Sequence, residues 1–100
     1  MSISKETAQR IGLAYREAET AELLLKDIRD ALLRREAPDI RDAFGRRQDG
    51  LQLGVPSGRG GHQLFNVEWS LAVPIIEARI AKQKAIIAAL SETARAELAL

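Results

Sequence analysis

Residues 11–32 read IGLAYREAETAELLLKDIRDAL, and the spacing of their apolar and small side chains decides the fold. Ile11, Ala14, Ala18, Ala21, Leu25, Ile28 and Leu32 follow one another at alternating intervals of three and four. That alternation lines them along one stripe of an α-helix, in the a and d positions of a heptad. Leu24 and Ala31 flank the stripe and widen it, as in a bundle helix rather than a two-stranded seam. From Ser2 to Arg35 there is no proline and one glycine, Gly12. Ser2 or Ser4 can cap the start. Acid-before-base pairs at i,i+4 (Glu6 with Arg10, Glu22 with Lys26, Asp30 with Arg34) are expected on the open face. Each contributes about 0.2–0.5 kcal/mol. Arg34 and Arg35 complement the negative end of the helix dipole. Pro38 then ends the run, because the residue before a proline is pushed out of the helical region. The first helix is thus expected over about residues 3–35.

A second stripe closes the chain. Val73, Ile76, Ile80, Ile87, Leu90 and Ala94 repeat the a/d spacing, with Gln83 as the polar member, and predict a helix over about 71–98. Ser70 is its expected cap, and Pro74 is expected in the first turn, where a missing N–H costs little.

The connector between the helices, about 38–69, reads differently. Pro38–Phe44 is expected to form a short helical turn ending at Gly45. Leu51-Gln52-Leu53-Gly54-Val55 alternates with period two and predicts a strand; Phe65-Asn66-Val67-Glu68-Trp69 predicts a second. Pro56-Ser57-Gly58-Arg59-Gly60-Gly61 between them is turn chemistry. The expected architecture is therefore mainly α: two long antiparallel helices, a helical hairpin, joined by a Gly-rich connector that carries a short β-hairpin. One hundred residues make a single domain. The order helix, β-hairpin, helix resembles the layout of prefoldin-type chaperone subunits; the resemblance is one of layout, shares no motif residue and implies no function or site.

Composition bounds the function. The hydrophobic fraction is 46%, enough for a folded core, but much of it is alanine and aromatics are 4%. Alanine removes little apolar area from water, so a monomer resting on alanine contacts is marginal. Each stripe is also wider than one partner helix covers. Leu23, Leu24, Leu25, Ile75, Ile76, Ile86 and Ile87 spread around the helices, while Ala81, Ala85 and Ala88 permit close approach. Self-association follows as an expectation, with a homodimeric four-helix bundle as its simplest form. The formal net charge of +1 predicts no strong molecular field. With no cysteine, thiol chemistry and Cys-based zinc sites are excluded. Met1–Glu6 contains no apolar run of a signal peptide and no segment approaches a membrane span, so a cytoplasmic protein without membrane contact is expected.

Chemistry-bearing residues concentrate in the connector. His62 is the only histidine, and Ser57 and Ser70 lie in no nucleophile-elbow pattern, so no catalytic, metal or cofactor site is assigned. Backbone N–H groups of the Gly54–Gly61 stretch, with Arg59 at the tip, could hold an anion, although the stretch lacks a P-loop ending. Arg41, Arg46, Arg47, Arg59 and His62, interleaved with Phe44, Phe65 and Trp69, are the candidates for single-stranded nucleic acid. Asp39, Asp42 and Asp49 oppose them. Phe65, Val67 and Trp69 are the candidates for a protein partner: Trp69 as an anchor of the connector or as an exposed hot spot, and the hairpin edge as a template for an added strand. The leading expectation is a non-enzymatic interaction, scaffold or adaptor module that associates with itself and with another protein. A nucleic-acid-binding accessory protein comes second. An enzyme with a site around His62 at a subunit interface comes third.

Overall fold

The computed structural model describes residues 2–58 and 60–99. The chain is mainly helical. The elements in order are α1 (Lys5–Leu33), β1 (Ile40–Arg41), β2 (Arg47–Gln48), β3 (Gly50–Pro56), β4 (His62–Glu68) and α2 (Trp69–Ala99). The strands form two separate antiparallel pairs, β1 with β2 and β3 with β4. Two compact units result: one joins the first 24 residues to those from Ile76 onward, the other spans Leu25–Ile75.

In the first unit the opening of α1 runs antiparallel to the end of α2. Ala14 and Ala18 of α1 are buried, as are Ile76, Ile80, Gln83, Leu90 and Ala94 of α2. These are the stripe residues, and on each helix they include small side chains, Ala14 and Ala18 on α1 and Ala94 on α2. The termini are tied by hydrogen bonds. Ser4 caps α1 by accepting from the Thr7 N–H at 3.1 Å. The Ser4 N–H donates to Glu97 at 2.9 Å, and the Ser4 and Thr7 hydroxyls donate to the same carboxylate. Beside the apolar contact, Arg79 meets Glu17 at 2.9 Å and Lys84 meets Glu22 at 3.2 Å. Glu22 thus pairs across to α2 rather than with Lys26, which pairs instead with Asp30 at 3.7 Å. Arg34 likewise turns to Glu36 rather than Asp30. Exposed pairs of this kind are energetically close in value, so a partner on the facing helix competes on equal terms with one a turn away.

In the second unit Leu25, Ile28 and Ala31 of α1 and Trp69 and Ala72 of α2 form the core, with Ile28 wholly enclosed. Helix α1 ends in a Schellman arrangement. The Glu36 N–H bonds the Ala31 carbonyl at 2.9 Å and the Arg35 N–H bonds that of Leu32 at 3.1 Å. Arg35 occupies the left-handed position, φ 55°, where glycine is usual.

Three local expectations are corrected. Pro38–Phe44 is not a helical turn: Ile40–Arg41 pairs with Arg47–Gln48 as a small ribbon. The reason is Asp42, whose carboxylate accepts from the Phe44 and Arg46 N–H groups, both at 2.9 Å, while Gly45 takes φ 77°. Trp69 is the first residue of α2 and not the end of a strand. Because α2 begins there, Ser70 lies inside it and Pro74 sits in the second turn, leaving the Ser70 carbonyl without its usual N–H donor.

Candidate functional site: the exposed connector hairpin

The longest β structure is the β3–β4 ribbon, and its register sorts the side chains. Leu51 stands opposite Val67, Leu53 opposite Phe65 and Val55 opposite Gln63, so one face carries five apolar groups and Gln63. The other face carries Gly50 with Glu68, Gln52 with Asn66, Gly54 with Leu64 and Pro56 with His62. Gly50 is buried where β3 and β4 approach, and a Cβ there would overlap the Val67 carbonyl. At the far end the Ser57 N–H donates to the Gly61 carbonyl at 2.8 Å, and Gly60 takes φ 78°. The Asn66 amide also donates to Asp49 at 3.3 Å.

Exposure rises along this ribbon. Leu51, Leu53 and Val67 are half-buried, but Val55, Leu64 and Phe65 are open, the last two at 69% and 51%. Between Gly50 and Glu68 the sequence has only Arg59 and Glu68 as full charges. Natural edge strands are usually guarded by lysines, prolines or bulges; β4 has neither a lysine nor a proline.

The partner candidates separate. Phe65 and Val67 share the apolar face. Trp69 does not belong to it: it is 8% exposed, and its indole N–H donates to the Gln48 carbonyl at 3.2 Å. It anchors α2 to β2 and is no surface hot spot. Leu64 is the residue missed in the sequence. It falls out of phase with the apolar alternation, and only the register reveals that it faces Gly54, which has no side chain to cover it.

The basic candidates are largely engaged. Arg41 meets Asp39 at 3.1 Å and donates to the Gly45 carbonyl at 3.0 Å. Arg46 meets Asp42 at 3.3 Å and lies 5.3 Å from the Phe44 ring centre. Arg47 donates to the Ala37 carbonyl at 3.0 Å and lies 3.9 Å from Asp39. His62 is exposed at the start of β4. Arg59 lies outside the described residues. An open cleft of about 820 Å³ beside the ribbon residues is lined by Asp27, Asp30, Arg34, Glu36, Asp39 and Arg47, a mixture of signs rather than a basic stripe.

Smaller openings lie elsewhere among the described residues. One is lined by Leu32, Leu33, Ser70 and Val73, and the first unit has grooves beside Leu13 and Ile86 and beside Tyr15 and Ile87. Among the described residues no three His, Cys, Asp or Glu side chains gather as a metal cluster, and no helix is long and apolar enough to cross a membrane. The Glu97 carboxyl is held below its ordinary value by the Ser4 N–H, then by the Thr7 and Ser4 hydroxyls, opposed by desolvation. No protein-family profile matches the chain, and no curated protein and no solved structure is significantly similar to it.

Proposed function

We propose that the protein is a small non-enzymatic interaction module that works as a homo-oligomer, with the connector hairpin as its binding surface. One observation carries this reading: a ribbon of two seven-residue strands with an apolar face and almost no charge leaves its outer half, with Val55, Leu64 and Phe65, uncovered. A lone two-stranded ribbon is marginal in water, and covering its face or edge lowers its free energy. Edge strands accept an added strand through main-chain hydrogen bonds, and the neighbouring pockets select side chains. Nucleic acid draws less support, because Arg41, Arg46 and Arg47 already meet carboxylates that oppose a phosphate backbone.

Assembly into a four-helix bundle is the other route to an oligomer. It has Leu13, Leu23, Ile75 and the half-buried Ile86 to work with. Leu13 and Leu23 stand about 80° apart around α1, within the width of one bundle stripe, so a helical bundle is the competing contact. A cytoplasmic role fits this reading. Sedimentation velocity across a concentration series is the test. A growing oligomer is expected; a single 11.0 kDa species even at tens of micromolar contradicts the reading.

A further inference from the structure

We infer that the hairpin's occupant is a second copy of the same chain, joined edge to edge through β4 about a twofold axis at Phe65. The inference rests on the interaction-module reading above and adds the partner, the edge and the register.

The backbone selects the edge. The Ser57 N–H bonds the Gly61 carbonyl, so positions 57 and 61 form a hydrogen-bonded pair. In an antiparallel ribbon such pairs alternate with pairs whose N–H and C=O groups point outward. Counting down the register, the outward pairs are Pro56 with His62, Gly54 with Leu64, Gln52 with Asn66 and Gly50 with Glu68. The β3 edge therefore ends at Pro56, which has no N–H, and begins at Gly50, which is buried. The β4 edge offers donors and acceptors at His62, Leu64 and Asn66 and the N–H of Glu68, all of them exposed residues; the Glu68 carbonyl is already the first acceptor of α2.

The side chains select the register. When β4 meets a copy of itself antiparallel with Phe65 opposite Phe65, all seven residues pair. His62 then faces Glu68 of the copy, and Leu64 faces Asn66 of the copy. All four are outward-facing positions, as the hydrogen bonds require. His62 and Glu68 are the only ionisable residues of β4, and this register sets each beside the other twice. Shifting by two residues leaves both without that partner. On the opposite face the two Phe65 rings meet at the axis and Gln63 meets Val67 of the copy. The result is a four-stranded sheet whose apolar face is continuous, the smallest arrangement in which such a sheet gains independent stability.

The test uses the absence of cysteine in the native chain. Positions 65 and 65, or 63 and 67, become non-hydrogen-bonded neighbours, close enough for a disulfide. Under mild oxidation Phe65→Cys should give a reductant-sensitive dimer at least tenfold faster than Leu64→Cys. Gln63→Cys mixed with Val67→Cys should link only as the heterodimer. His62→Glu, checked by helical circular dichroism for folding, should weaken sedimentation-detected association at least tenfold. Adding Glu68→His to it should restore association.

Equal linkage at positions 64 and 65, or indifference to both charge variants, overturns the edge pairing. If the wild type still associates in that case, the interaction-module reading survives, through stacked hairpin faces or a helical bundle. A wild type that stays monomeric overturns both.

Discussion

The helices and the β3–β4 hairpin treat their apolar residues in opposite ways. On the helices, most residues at three–four spacing turn inward: Ile28 and Ala72 are wholly enclosed, Leu25, Ile76, Ile80 and Leu90 are nearly so, Ile11, Val73 and Ile87 are half-buried, and Leu32 alone of the stripes' large side chains is exposed. On the hairpin, Val55, Leu64 and Phe65 stay open. The difference is geometric. A helical stripe aims its members at one side, where another helical segment can cover them. A two-stranded ribbon has two faces and two edges, and no second layer here covers its outer half. Stability therefore concentrates in the helical stripes, and the hairpin, like the exposed Leu13, Leu23 and Leu71 off those stripes, is left for outside contact.

The sharpest way to break that division is at Trp69, where the two regions of sequence join. Trp69→Ala removes the largest buried side chain and the indole bond to Gln48, and should cost about 3–5 kcal/mol in urea unfolding. Next comes a matched pair. Ile28→Ala should cost about 2–5 kcal/mol, whereas Leu64→Ala, at an exposed site, should stay within about 0.5 kcal/mol under conditions where the chain is monomeric. Comparable losses at both sites would erase the distinction drawn here.

A smaller effect, opposite in sign, is expected at the end of α1. Arg35 sits at φ 55°, so Arg35→Gly should raise stability by about 0.5–1 kcal/mol, read as a higher unfolding midpoint. The smallest effect is acidic. The Glu97 pKa is lowered in the folded chain, so the carboxylate contributes stability that is present above its ordinary value and is lost as pH falls through the lowered one. Glu97→Gln should flatten the unfolding midpoint against pH below about pH 4.5 and leave it nearly unchanged in slope near neutrality.

Much of this division is legible in the residues. The stripe from Ile11 to Leu32 and its partner from Val73 to Ala94 specify helices because their spacing repeats over many turns. The alternation at Leu51–Val55 likewise specifies a strand. What stays hidden depends on choices between near-equal neighbours. Pro38–Phe44 could have continued as a turn of helix, until the Asp42 carboxylate gathers two N–H groups and folds the segment into a ribbon. The first residue of α2 is Trp69 rather than Leu71, since the core around Trp69 outweighs one lost backbone bond. The fate of Trp69, buried rather than displayed, depends on the Gln48 carbonyl twenty-one residues away. Leu64 is exposed by a register that composition does not encode.

The most direct measurement is urea unfolding and sedimentation of one variant, Leu64→Ser with Phe65→Ser, beside the native chain. The account predicts unchanged helical circular dichroism and, in dilute solution, an unchanged unfolding midpoint, with self-association abolished. Helices that melt early while association persists would contradict it.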